Sequence, residues 1–348
     1  MIFRYVHSFA LLIFIASCTK PAIEPDAPEM ASEFTFTMAA PFTAEPDVTE
    51  DVVYLFSSVP QAETTEVVKV NYRTSAVEQR VFLPFFAGEY TVDLGVFEGE
   101  RELYIGSKGT IFILDGSTLA VKDSITAYVE ADAVGGQMHS LEYMAPNLLF
   151  TSWHGSHDPG TRSFDRRTGA MISETSFSDH CARVVASRRE DGTVELIGIG
   201  EASSRPAYIY DVFDENGTLL ENNSEFFRPD GMSARLVVTN GAADYFVSGS
   251  GGRLFRKNPV RQAGQLDGFD EEAMRDCFLN DAADSIFTLT SNRLRVHAHP
   301  SGSTVLERAT PGDAKFAFRD DNEVIVICFD QDDSVPVQTI RLDISELR

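Results

Sequence analysis

Cysteine is scarce in this 348-residue chain, which holds four, at positions 18, 181, 277 and 328. None of the spacings is close enough for a zinc knuckle or a redox pair, so a disulfide-stapled or zinc-stapled scaffold is excluded. Cys181, Cys277 and Cys328 each lie in or at the start of an apolar, strand-like run and read as buried free thiols. Spacing alone leaves a Cys277–Cys328 bridge open. Basic residues are also few: 29 Lys and Arg stand against 53 Asp and Glu, a net charge of -24. Such a chain is repelled by nucleic acid and by anionic lipid headgroups, which argues against DNA and RNA as partners. No apolar run reaches the roughly 20 residues that cross a bilayer as a helix. Motifs of chemistry are missing as well. There is no Gly-x-Ser-x-Gly elbow and no cofactor-binding motif. Gly249, Gly251 and Gly252 are followed by neither a helix nor a Lys-Ser/Thr pair, so they read as a hairpin turn and not a phosphate loop.

What is present begins with a short signal-like segment. Arg4 supplies a positive charge, Ser8 to Ser17 form an apolar stretch, and the stretch closes on Ile15-Ala16-Ser17-Cys18. That is the pattern of an exported chain. Those last four residues resemble the lipobox of bacterial lipoproteins, with Ile15 in place of the commoner leucine. The resemblance implies cleavage before Cys18 and a diacylglycerol and palmitate anchor on it. Each acyl methylene buried in lipid contributes about 0.8 kcal/mol. Thr19 is not the Asp that holds such proteins at the inner membrane, which favours the outer membrane, on its periplasmic or surface face. The expected organisation is a signal peptide over 1–17, a lipidated tether rich in Pro and acid over 18–32, and one folded domain over 33–348.

The body carries a repeat. VVYLFS from 52, LYIGS from 103, LLFTS from 148, ELIGIG from 195, DYFVSG from 244, SIFTLT from 285 and EVIVICF from 323 are alike, and their starts are 38 to 51 residues apart. That is the period of a four-stranded propeller blade. Further strands follow, each ending in a tight turn: ILDGSTLAV from 113, SFDRRTGAMI from 163 and VFDENGTLLE from 212. Asp115, Asp165 and Asp214 start these turns because a carboxylate can bond the amides ahead of it, and Gly116, Gly169 and Gly217 accept positive φ. HSLEYM from 139, CARVVAS from 181, SARLVV from 233, RDCFLN from 275 and AKFAF from 314 fit innermost strands. The expected fold is therefore all-β, a β-propeller of seven four-stranded blades with 26 Phe and 10 Tyr filling the wedges. The last blade lacks its outermost strand, and EFTFTM from 33 is the unassigned strand whose pairing would close the ring.

This blade pattern resembles the YVTN-type and quinoprotein-like propellers of bacteria, over most of residues 33–348. The WD dipeptide of WD repeats is absent from the corresponding positions. The resemblance implies architecture only, since that group hosts lactonases, dehydrogenases, surface-layer proteins and binding proteins alike.

Strand alternation puts the loops between second and third strands on the same face as the connections from blade to blade. Loops of one sector of that face hold His139, Trp153, His154, His157, Asp158, His180, Glu201, Arg205 and Arg228. Two expectations follow. In the first, an anchored binding or scaffold protein holds a protein, peptide or glycan ligand through Trp153, the histidines, Asp158, Glu201, Arg205 and Arg228, with no cofactor required. In the second, His154, His157 and His180 hold a divalent metal that activates water for a hydrolase or lyase, Arg205 offsetting the negative charge that develops. His139 and His180 also suit a cross-blade hydrogen bond. His297 and His299 alternate along one strand and share one face.

Overall fold

A computed structural model gives the fold for residues 32–33, 38, 41–59, 63–128, 137–154, 160–176, 181–200, 208–225, 232–269, 272–310, 313–329 and 338–343. Among these, every regular element is a strand, and they form seven antiparallel four-stranded sheets. Each of the seven similar runs becomes the second strand of a blade: Val52–Val59, Glu100–Ser107, Leu148–His154, Val194–Gly200, Tyr245–Ser248, Ser285–Leu289 and Glu323–Phe329. Their near-continuous apolar character has a simple cause, because a second strand is covered on both faces by neighbouring blades. Val53 and Leu55 enter the wedge shared with blade 7, while Tyr54 and Phe56 enter the wedge shared with blade 2. Outer strands instead alternate between exposure and partial burial, as in Ser303–Ala309.

Seven hydrophobic clusters result, each drawn from two adjacent blades. The molecule thus has a ring of wedges in place of one central core. Aromatic side chains fill them, with Tyr54, Tyr104, Tyr208, Phe150, Phe213 and Phe246 wholly buried. Full burial of one such ring contributes about 1.5–3 kcal/mol. Cys277 and Cys328 are free and buried in two of these wedges.

The ring closes through the N-terminal strand. Ser32–Glu33 pairs with Gln338–Asp343, Ser32 opposite Thr339 and Glu33 opposite Gln338, which supplies the fourth strand of blade 7. One inner strand is shorter than expected. In blade 5 only Val237–Val238 is extended, because Ser233 turns the chain: its amide bonds Ser248 Oγ at 2.9 Å and its own Oγ accepts the Arg235 amide at 3.2 Å. A short polar side chain that bonds nearby amides competes with strand pairing in this way.

The aspartate turns form as expected. Asp115 Oδ1 accepts the amides of Ser117 and Thr118 at 3.0 and 2.7 Å; Asp165 accepts that of Arg167 at 2.8 Å, and Asp214 those of Asn216 and Thr218 at 2.9 and 2.8 Å. Gly169 and Gly217 have φ of 68° and 84°. In the first turn, however, Leu119 takes the left-handed conformation, at φ 54°. Gly116 serves closeness instead, since a Cβ there would lie 2.9 Å from Arg101 Cβ.

The face where first strands end and third strands turn into fourth is stitched by ion pairs between neighbouring blades. Arg166 of blade 3 grips Glu102 of blade 2 through Nε and Nη2 at 2.7 and 2.9 Å, and reaches Asp123 at 3.3 Å. Arg73 of blade 1 grips Asp320 of blade 7, together with Asp51 and Glu323. Lys257 of blade 5 meets Glu195 of blade 4.

Candidate functional site

Inner strands line the central channel, and five of the seven bring a charge there that an apolar strand does not need. Glu45 sits in Thr43–Asp47, Asp93 in Val92–Phe97, Glu142 in Gln137–Met144, Arg183 in Cys181–Arg188 and Asp276 in Asp276–Leu279. They come from blades 1, 2, 3, 4 and 6, yet Glu45 feels the charges of all the other four. Only the shared axis brings such distant blades together. All five side chains are half-buried.

Three of these carboxylates reach sideways to a backbone amide of the next inner strand. Asp93 accepts the amide of Tyr143, Glu142 that of Ala186, and Asp276 that of Ala317 at 2.8 Å. An inner strand exposes one unpaired edge, and the carboxylates satisfy part of it. Burial raises the pKa of each of the four carboxylates. Asp93 is pushed up to about 7 and Asp276 to about 6, while amide hydrogen bonds pull both back towards the ionised form. Glu45 and Glu142 are raised by burial first and by neighbouring carboxylates second, with Arg183 opposing. The charge of the channel therefore changes near neutral pH.

Inner strands begin on one face, and there the channel is bridged. Tyr90, which precedes the inner strand of blade 2, donates its hydroxyl to the carbonyl of Arg235, which precedes that of blade 5, at 3.2 Å. Arg183 of blade 4 donates to the same carbonyl at 3.1 Å, and its guanidinium lies 4.5 Å from the centre of the Tyr90 ring. Blades 2 and 5 stand three places apart in a ring of seven, so this contact crosses the axis. The Ser233 turn makes it available by leaving Arg235 outside the strand ladder. The backbone of Tyr90 is held in turn by the Leu141 amide at 2.8 Å.

The residues singled out from sequence fare differently. Trp153 is the last residue but one of the second strand of blade 3 on this face, opposite Met138 and Gly160. It is 6% exposed and stacks on Tyr128 with ring centres 4.0 Å apart, so its indole is committed to the wedge between blades 2 and 3. His139 is the extra residue of a bulge between Met138 and Ser140. His154 ends the same strand as Trp153, but its side chain lies outside the described residues. Cys18, His157, Asp158, His180, Glu201, Arg205 and Arg228 also lie outside them. Among the described residues, no three His, Cys, Asp or Glu side chains are grouped so as to hold a metal ion. His297 and His299 do share a face, both turned to blade 5: His297 is buried beside Phe269, and His299 stacks on Tyr245 at 3.8 Å.

The channel set was missed by reading strands for their apolar residues. Its signal is a single charge inside a short apolar run, as in VDLGVF or HSLEYM, and it becomes chemistry only when several blades meet at the axis.

No family model and no curated protein matches the chain. Among solved structures it is similar to BamB from Moraxella catarrhalis, with a TM-score of 0.52 and 13% identity over 86% of this chain and 84% of that one. It is similar to hydrazine synthase of Kuenenia stuttgartiensis, TM-score 0.62, 13% identity, 88% and 97% covered. It is also similar to BBS1N in complex with ARL6DN, TM-score 0.61, 9% identity, 91% and 96% covered. At such identities the likeness speaks for the fold alone, and by its own strands and these comparisons the chain is a seven-bladed β-propeller.

Proposed function

We propose that this chain is a lipid-anchored binding or scaffold module of the bacterial envelope. Cys18 carries the anchor, at the outer membrane, and the face where the inner strands begin holds a protein, peptide or glycan. The observation that supports the binding role is the bridge of Tyr90 and Arg183 onto the Arg235 carbonyl. It converts the channel mouth from an opening into a platform that offers an aromatic ring and a guanidinium, the groups that dominate recognition surfaces. Carboxylates beneath the bridge and a net charge of -24 favour a partner bearing cationic groups. His154, His157, Asp158, His180, Glu201, Arg205 and Arg228 belong by chain position to loops of the same face, and we assign them to the rim of this platform. One similar propeller, BBS1N, is described in a complex with ARL6DN.

A photo-crosslinking residue tests the reading. Placed at Ser250, in the exposed hairpin of this face, it is expected to capture a partner in intact envelopes; placed at Ser117, in an exposed turn of the opposite face, it is not. Equal capture at both positions, or at neither, overturns the proposal. The anchor is tested separately: Cys18→Ser is expected to move the chain from the membrane fraction to the soluble one.

A further inference from the structure

On the face opposite the channel mouth, a cleft of about 430 Å³ opens between blades 4 and 5. Its volume is in the range of small-molecule sites, roughly 300–1,000 Å³. The floor is charged and buried. Glu195 and Lys257, 3% and 4% exposed, form an ion pair there. Glu195 also accepts hydrogen bonds from Ser187 at 2.7 Å and from the Tyr210 hydroxyl at 3.1 Å, while Lys257 Nζ donates to the Asn240 carbonyl at 3.0 Å.

The corresponding place between blades 2 and 3 shows what is unusual here. There the cation is an arginine, Arg166, whose fork grips Glu102 and also reaches Asp123 on the outer strand. Lys122 closes over Glu102 from the side, at 2.6 Å. Between blades 4 and 5, Lys257 stands in place of the arginine and Leu220 in place of Lys122. Glu221 takes the register of Asp123, since it faces Val212 as Asp123 faces Ile113, one pair beyond the same bulge. A lysine cannot fork to a second carboxylate, so Glu221 lines the cleft and meets no cation among the described residues. A turn of small residues, Gly241-Ala242-Ala243, leaves the space open. Arg189 borders it too, and its guanidinium makes no ion pair or hydrogen bond among the described residues.

We propose that this cleft is a binding site for a small zwitterionic amino compound, of amino-acid to dipeptide size. Arg189 takes the carboxylate of the ligand, and Glu221 with Asp244 takes its ammonium, above the Lys257–Glu195–Tyr210 floor. Arg189 and Glu221, neither in an ion pair among the described residues, match a ligand that carries charges of both signs, and a single-charge ligand would leave one of them unanswered; Asp244, which also borders the cleft, is held only at 3.9 Å by Arg256. The site lies on the other face from the platform and uses none of its residues, so it stands or falls independently of the function proposed above.

Isothermal titration of the full chain with L-glutamine and with glycyl-L-glutamine tests this, using N-acetylated and C-amidated glycyl-L-glutamine as controls. Saturable binding of at least one zwitterion is expected, weakened at least about tenfold, or 1.4 kcal/mol, in both capped forms and in Arg189→Gln. Lys257→Arg supplies a fork that can reach Glu195 and Glu221 together and fill the cleft, so it is expected to keep the fold and melting temperature while losing the ligand. No saturable binding of either zwitterion up to about 10 mM, or equal binding of the capped forms, overturns the proposal. So does binding unchanged in Arg189→Gln, which changes only an exposed side chain and leaves the fold intact.

Discussion

Asp211 is wholly buried between blades 3 and 4, in the register that Phe112 fills in blade 2. Asn222 donates to its Oδ1 at 3.0 Å. Burial pushes the Asp211 pKa up to about 7, against about 3.9 in an unfolded chain, while Asn222 and Thr175 both draw the carboxyl towards its ionised form. Between those values the folded state holds a proton that the unfolded state has released, so stability falls as pH rises through the window. Asp211→Asn is expected to match the parent near pH 4 and to be more stable at pH 8 by roughly 4 kcal/mol. Urea unfolding at the two pH values measures this, and a parallel pH dependence of the two proteins would contradict it. Asp93 and Asp276 act in the same direction, so part of the decline remains in the variant. Nothing in VFDENG or IYDVF distinguishes a buried aspartate from a turn aspartate. Asp214 three residues on is the turn residue, and only the neighbouring blade makes Asp211 the buried one.

Within the strands and turns, the aspartate rule worked where a glycine accompanied it and missed blade 1. Asn71 starts an equivalent turn, its Oδ1 accepting the amides of Arg73 and Thr74 at 3.1 and 2.9 Å. Ser75 stands there in the left-handed region at φ 59°, and its buried hydroxyl has no partner. Ser75→Gly removes both burdens and is expected to stabilise by about 0.5–1 kcal/mol. The same change at Leu119, φ 54°, is expected to destabilise by about 2 kcal/mol, because that side chain is buried in the wedge between blades 1 and 2 and its burial outweighs the relief of strain. Thermal denaturation of the two variants, side by side, decides whether packing or backbone conformation governs each turn. The strands themselves were legible because burial on both faces imposes continuous apolar runs. The exception, the short inner strand of blade 5, was not, because a serine that bonds nearby amides looks in sequence like any strand serine.

At the scale of the molecule, ring closure concentrates in a small contact. Ser32–Glu33 completes blade 7 through two paired positions, and without it Gln338–Asp343 becomes an open edge. A chain beginning after Glu33 is expected to melt several degrees lower and to associate through that edge, since unpaired strand edges seek partners. Calorimetry and size-exclusion chromatography check the two halves of this prediction, and an unchanged monomer with an unchanged melting temperature would show that closure rests on the wedges alone.

The sequence by itself determined the architecture, because a repeat written as apolar runs and aspartate turns depends on contacts that recur in every blade. It determined the acidic charge for the same reason, as a sum over residues that needs no geometry. Only the tertiary structure decided which residues meet. The Tyr90–Arg183–Arg235 bridge joins positions 90, 183 and 235, and the cleft of Lys257 and Glu195 exists because one blade carries a lysine where another carries an arginine. Such sites are products of distance around a closed ring, and separation along the chain does not encode them.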